Sequence, residues 1–326
     1  MVKRKPPIFI WLAVLTTIMI VPPLVVGEYY VDILIILLTN IILVASFRLI
    51  SLTGDFSVAH VPLMGAGAYA SALMGIHFGL PFWLSLPLAG LASAAISLVM
   101  CYPLLRMKAF AFFIGSFAAG EAMRLMWMRF RIPFGGHRGL AKIPPPESIP
   151  GLSFIDFGDA TSYYRLTLGI TLVCLGIIYW LEKSRIGDTL KAIHSQEDMA
   201  KSVGINVTRY RALALVIGSF FAGISGVLLV HRIGFVDPYQ FSLSATLYLL
   251  IWVVVGGLTT FAGPIIGVAT LTAVGESIRG FAQWEPMVYG FILLAIFRFL
   301  PHGLESLPER AKVLFEKTRK IVRARH

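Results

Sequence analysis

The sequence predicts an all-α, polytopic membrane protein of about ten transmembrane helices, some of them broken or short. Three observations predict it. Of 326 residues, 57% are hydrophobic and only 14% are charged, where soluble domains run near 25% charged. The apolar residues gather in runs of about 17 to 22, enough as helices to cross a hydrocarbon core of roughly 30 Å. The weak alternating segments of a membrane barrel do not occur. Finally, the excess of 28 Lys+Arg over 17 Asp+Glu collects at the ends of the apolar runs, which is the positive-inside pattern. A nucleic-acid binder would place that charge on a soluble face.

Taken in order, the first run, 8–26, follows Lys3-Arg4-Lys5. It is longer than a signal-peptide core and no small-x-small cleavage site follows, so it reads as a retained span with its N-terminus in the cytoplasm. Further spans are expected near 31–50, 58–76, 84–104, 109–127, 165–181, 210–231, 243–256, 264–279 and 285–299. The even count returns the C-terminus to the cytoplasm, where Arg310, Lys312, Lys317, Arg319, Lys320, Arg323 and Arg325 gather. Residues 1–305 thus form a membrane domain and 306–326 a basic cytoplasmic tail. Arg106, Lys108 and the segment 182–211 fall on the same inner side. Gly27-Glu28-Tyr29-Tyr30 and His77-Phe78-Gly79-Leu80-Pro81 fall outside, with no Lys or Arg. The external loop 128–164 carries Arg129, Arg131, Arg138 and Lys142, but positive-inside counting loses force over long loops. Cys101 and Cys174 lie within apolar runs and read as small packing residues.

Two places interrupt the helical pattern. One runs from Gly54 through Asp55, Ser57 and His60 to Pro62, followed by Gly65 and Gly67; the other is Gly256-Gly257 through Gly263-Pro264, followed by Gly267. Irregular backbone at membrane depth is tolerated where protein buries it or a wet cavity meets it, so these breaks point to a permeation path. The other reading is a tight turn between spans with small residues for helix packing. Both readings stay open on sequence. The two breaks echo one another, but by the span count both run in the same direction, which does not support an inverted repeat.

The segment 182–211 is the one long polar, basic stretch between membrane-grade runs. Gly187 and Gly204 bound a helix-length piece in which Leu190 and Ile193 lie three apart. A short amphipathic helix of this kind seats in a groove on another protein; Glu197 and Asp198 would repel an anionic lipid surface. Asn206-Val207-Thr208 matches a glycosylation sequon but falls on the cytoplasmic side.

The residues then resemble a known family. Ser184, Arg185, Gly187, Ala192, Ile193, Glu197, Ala200, Gly204, Ile205, Asn206 and Arg209 are similar to the coupling loop of branched-chain amino-acid ABC importer permeases of the high-affinity M-subunit type. Gly54, Ser57, His60, Gly65, Gly67, Ala68 and Tyr69 resemble the family's early signature. Arg106, Lys108, Phe112, Glu121 and Arg124 resemble its mid-chain helix, and Gly135-Gly136 with Gly139-Leu140 its external loop. Phe220-Phe221-Ala222-Gly223 with Gly226, Gly234-Phe235-Val236 with Pro238, Gly256-Gly257 with Ala262-Gly263-Pro264 and Gly267, and Arg298 with Pro301, Gly303 and Leu304 complete the order.

The resemblance implies an inner-membrane subunit of a bacterial or archaeal ABC importer. It implies a second, similar permease as heterodimer partner, two ATPase subunits that carry ATP and Mg, and an external solute-binding protein. The chain itself would bind no cofactor and no metal. The coupling residues would be Ser184, Arg185, Gly187, Ala192, Ile193, Glu197, Ala200, Gly204 and Ile205. A path would pass Ser57, His60, Phe112, Ser116 and Glu121, with Gly54, Gly65, Gly67, Gly256, Gly257, Gly263, Pro264 and Gly267 shaping breaks and close packing. Departures from the family pattern are Ala59, Pro62, Ala109 and Thr259, and Asp188 and His194 where Arg is frequent. They bear on substrate and on the partner's groove.

Other readings compete with this one. Glu121 and Arg124 share a helix face and pair, as a charge at membrane depth requires; a structural pair and a substrate contact both fit. His60 lines the path or satisfies a freed carbonyl. A secondary transporter would want midplane carboxylates, and only Asp55 and Glu121 are offered, near span ends. A membrane enzyme would need a polar catalytic cluster, which the pattern lacks: there is no G-x-x-x-x-G-K phosphate loop and no H-E-x-x-H spacing.

Overall fold

The computed structural model describes residues 27–107, 110–147, 157–300 and 303–306. The expected first span, 8–26, residues 148–156 of the external loop and nearly all of the tail lie outside the described residues. What is described is helical: α1 Glu28–Ser51, α2 His60–Phe78, α3 Phe82–Leu104, α4 Phe110–Arg129, α5 Arg131–Phe134, α6 Ala160–Lys183, α7 Arg185–Ser195, α8 Glu197–Ser202, α9 Val207–Ile233, α10 Leu243–Gly256, α11 Gly263–Ser277 and α12 Glu285–Phe299. A two-residue antiparallel ladder, β1 Leu140–Ala141 with β2 Phe235–Val236, pairs Leu140 with Val236 and Ala141 with Phe235.

Each apolar run between 28 and 299 is a helix, with ends that move by a few residues. The expected count of about ten spans, some of them broken or short, is not confirmed. Among the described residues, five helices are long and apolar enough to cross a membrane: α1, α2, α3, α6 and α9. The rest fall short for stated reasons. α4 carries Glu121, Arg124 and Arg129. α10, α11 and α12 have 14, 15 and 15 residues, where a perpendicular span needs about 20.

Sequence explains where the helices stop and start. Asp159 caps α6 by accepting from the amides of Thr161 and Ser162, Ser184 caps α7, and Asn206 caps α9 by accepting from Arg209 N at 3.1 Å. Such side chains satisfy the otherwise orphaned amides of a first turn. Asn206 therefore has a backbone role in the sequon position. α2 closes on Gly79 and α9 on Gly234, both left-handed at φ 59° and 72°, where glycine carries no penalty.

α9 runs through the middle, packed against α1, α2 and α3, and is buried over most of its length. Close approach makes this possible. A Cβ on Gly67 would stand 2.4 Å from Gly223 Cα, and one on Gly226 would stand 2.2 Å from the Met64 carbonyl oxygen. Helices in lipid gain little from hydrophobic burial, so backbone-to-backbone contact of this kind is what joins them. Around the crossing, Phe47, Tyr69, Trp127, Phe241, Leu249 and Val253 form the principal core.

Two ends of the bundle are distinct. One gathers the end of α1, the turn to α2, the α7–α8 pair, the start of α9, the turn between α10 and α11, and residues 303–306. The opposite end holds Asp32 bonded to Arg232 at 2.7 Å, Tyr29 bonded to Glu276 at 2.9 Å, His231 Nδ1 against Pro144 O at 2.7 Å, and the β1–β2 ladder.

Both breaks are turns at the first end. The first is shorter than the sequence suggests, since α2 begins at His60; Pro62 sits in that first turn, where a missing amide is harmless. Gly65 and Gly67 lie inside the continuous helix as packing positions. The second turn runs from Gly257, with φ 101°, to Ala262. It is tight because Gly256 and Gly267 meet the Gly263 and Trp252 carbonyl oxygens where a Cβ would need to be, at 2.1 and 2.0 Å. α2 and α11 leave the same end in the same direction, as the span count expects.

Candidate functional site

The segment expected to couple is a helix pair standing at one end of the bundle. α6 ends at Lys183, the Ser184 hydroxyl accepts from Ile186 N at 3.2 Å, and α7 turns back beneath α6. The turn is so close that a Cβ on Gly187 would stand 2.1 Å from the Glu182 carbonyl oxygen. Only glycine fits there.

The apolar face of α7 is turned inward. Leu190 is packed with Leu49, Leu52 and Ala214, and Ile193 with Ala200 and Val207. The face expected to enter a partner's groove is therefore already spent on the chain's own body. Gly187, Ile193 and Ala200 seat the pair; Arg185, Ala192, His194 and Ser195 are exposed, as are Met199 at 63% and Val203 at 71%. Between the two helices lies a cavity of about 440 Å³ lined by Ala192, Ser195, Gln196, Met199, Ala200, Val203 and Ile205. On α8, Lys201 bonds Glu197 at 2.6 Å, and that bond holds the ammonium above the usual lysine range. Gly204, φ 86°, makes the reversal before α9.

Both flanks of this pair carry buried ions. Glu182, 4% exposed, accepts from Arg48 Nε at 3.0 Å and Nη2 at 2.8 Å, and Arg48 is 2% exposed. Arg48 also donates to the carbonyl oxygens of Leu258 and, at 3.4 Å, Thr259. The turn these belong to is held from beyond α12: the amides of Thr259 and Thr260 each donate to Glu305 at 2.8 Å, and both hydroxyls donate as well. Burial raises the Glu305 carboxyl, but these bonds more than offset it and leave it below the usual carboxylate range.

On the other flank, Arg211 donates to both oxygens of Asp55 at 2.5 Å. Thr53 Oγ1 donates to Asp55 at 3.0 Å, and the Arg211 guanidinium lies 5.5 Å from the Phe112 ring centre. His194 of α7 covers Gly54: a Cβ there would stand 2.6 Å from Nδ1.

The residues proposed for a path are placed as follows. Ser57, His60, Phe112 and Ser116 are buried, and Glu121 is partly exposed. Ser116 Oγ accepts from Val58 N at 3.0 Å and pins the first turn to α4. Ser46 Oγ lies 2.9 Å from both Leu43 O and His60 Nε2 and ties the His60 ring to α1. His60 Nδ1 and Ser57 Oγ are buried without a hydrogen-bond partner among the described residues. Glu121 and Arg124 pair with one another, at 2.9 Å through Nε. Beside the first turn, a cavity of about 470 Å³ is lined by Gly54, Phe56, Phe110, Phe113, Leu250 and Val254.

Sequence reasoning passed over Arg48, Glu182, Arg211 and Glu305 as site residues, and Phe56, Phe113, Leu250 and Val254 as lining. A charged residue inside or flanking an apolar run was the available signal for the first three.

Comparisons with known proteins agree with this architecture. The family profile "Branched-chain amino acid transport system / permease component" matches residues 29–300. The high-affinity branched-chain amino acid transport system permease protein LivM of Salmonella typhimurium LT2 is 28% identical over 324 residues, 93% of this chain and 75% of that protein. LivM of Escherichia coli K12 is 27% identical over the same shares. The permease protein BraD of Pseudomonas aeruginosa is 27% identical over 179 residues, 52% of this chain and 57% of its own. No solved structure matches the chain. With a profile match that takes in both turns, the α7–α8 pair and the described helices from α1 to α12, the chain belongs to the branched-chain amino acid transport permease family.

Proposed function

We propose that this chain is a translocating subunit of an ABC importer for branched-chain amino acids or related small polar solutes. It works in the cytoplasmic membrane of a bacterium or archaeon, with both termini and the α7–α8 end in the cytoplasm and residues 131–147 outside. Ten crossings, with the first at 8–26 and the short α10, α11 and α12 among them, complete the topology. A second, similar permease, two ATPases and an external solute-binding protein complete the machine. ATP and Mg are held by the ATPases, since this chain carries no phosphate loop.

The observation that carries the reading is the α7–α8 pair. It is seated on the bundle by its apolar face and presents to the cytoplasm a polar surface with exposed Met199 and Val203 over a cavity. That surface suits an ATPase that grips the pair and moves it. The path runs beside the first turn, where the cavity lined by Phe56, Phe110, Phe113, Leu250 and Val254 suits an aliphatic side chain. Ser57 Oγ and His60 Nδ1, buried without partners among the described residues, are the nearby polar groups a passing solute would find. The two carboxylates offered to an ion-driven mechanism are already engaged: Asp55 with Arg211 and Glu121 with Arg124.

The test is co-purification of this chain with its ATPases and measurement of ATP hydrolysis on addition of loaded binding protein. Stimulated hydrolysis supports the reading. A chain that never associates with an ATPase removes it.

A further inference from the structure

Two buried ion pairs flank the α7–α8 pair, one at the end of α6, where Lys191 of α7 also donates to Glu182 O at 3.3 Å, and one near the start of α9, and these lead to two different turns. On the α6 flank the chain of contacts is Glu182 to Arg48, then to the carbonyl oxygens of Leu258 and Thr259. On the α9 flank it is Arg211 to Asp55, one residue from Gly54, over which His194 of α7 lies. The cavity is lined by Gly54 and Phe56 of the first turn and by Val254 of α10, the helix that leads into the second.

We infer that Arg48 and Arg211 are positioning residues that make the α7–α8 pair, the turn 52–59 and the turn 257–262 move as one body, so that displacement of the pair reshapes the cavity. The inference rests on the coupling role given to α7–α8 above. Three physical points support it. A buried ion pair adds little net stability over an apolar replacement, but it is directional. A guanidinium that holds a carboxylate by two parallel bonds fixes orientation as well as distance, which an ammonium does not. Arg48 further divides its donors between a carboxylate on one element and carbonyls on another, so it bridges three parts of the chain. Static bracing alone would need only the charge.

That difference sets the experiment, made on the whole importer reconstituted in liposomes with its ATPases, sister permease and binding protein. Arg48→Lys and Arg211→Lys keep each charge and lose the two-pronged geometry. Solute moved per ATP hydrolysed falls at least tenfold in either variant, while the ATPases still co-purify with it. An unchanged ratio in both assembled variants overturns the inference and leaves the coupling role standing. A wild-type importer in which ATP hydrolysis drives no transport overturns the coupling role, and the inference with it.

Should the lysine variants not assemble, wild-type geometry decides. Spin labels placed at the exposed Asp198 of α8 and Ala262 of the second turn keep a constant separation through the ATP cycle if the parts move together. A separation that changes between nucleotide states overturns the inference.

Discussion

Arg211 and Asp55, 156 residues apart in sequence, form a two-pronged ion pair whose side chains are 8% and 9% exposed. It joins the helix leaving the coupling segment to the first turn. Removing one partner of such a pair leaves an uncompensated buried charge, at a cost of about 3–5 kcal/mol. Asp55→Asn is therefore expected to lower the thermal unfolding midpoint markedly in detergent. Replacing both by apolar residues, Asp55→Leu with Arg211→Met, restores most of the midpoint without restoring transport. Recovery of transport by the double variant would show that the pair serves stability alone.

Gly187 packs α7 directly against the last turn of α6. Adding one methyl puts a carbon 2.1 Å from the Glu182 carbonyl oxygen, so α7 must shift. Gly187→Ala should leave the amount of folded protein near wild type, because α7 lies at the end of the bundle, while reducing binding-protein-stimulated ATP hydrolysis at least fivefold. Normal stimulation in this variant would mean that the seating of α7 is irrelevant to coupling.

The α2–α9 crossing makes a different prediction, on stability. Gly67→Val forces a side chain into the backbone of Gly223, where a Cβ has only 2.4 Å. Overpacking of this kind costs about 1–3 kcal/mol or more. Gly176→Ala is the control, because a Cβ there meets nothing within 4 Å; it should be neutral or stabilising by up to about 1 kcal/mol. Unfolding midpoints of the two variants check the contrast.

Glu305 ties the chain after α12 to the second turn and titrates below its ordinary range there. A carboxyl whose folded-state pKa is lowered contributes stability above its unfolded pKa, and that contribution is lost as pH falls through the folded value. Midpoints measured from neutral pH downward should thus drop more for wild type than for Glu305→Gln, the two curves converging in acid. Parallel curves would contradict the assignment.

Much of the fold was legible. Nine apolar runs between 31 and 299 correspond to helices because period and length in a membrane leave few alternatives. That the segment 182–211 holds a helical element apart from the spans was legible too, from its polarity. What it does with its apolar face was not: Leu190 and Ile193 look the same in sequence whether they meet a partner or the chain's own α1 and α9. The breaks were placed correctly to within a few residues, but whether they were turns or membrane-depth interruptions depends on which end of the bundle they occupy. The ion pairs were hidden for a plainer reason. Arg48 with Glu182, and Asp55 with Arg211, lie 134 and 156 residues apart, and nothing local in one member names the other. Thr259, noted only as a departure from family pattern, acquires its meaning from Glu305, 46 residues on.

The most direct measurement is solute uptake into liposomes under two energy sources. With the full importer, ATP inside the compartment bearing the α7–α8 end should drive accumulation of a branched-chain amino acid delivered by the binding protein. A proton or sodium gradient without nucleotide should drive none. Accumulation by this chain alone, with a gradient and no ATPase, would contradict the account.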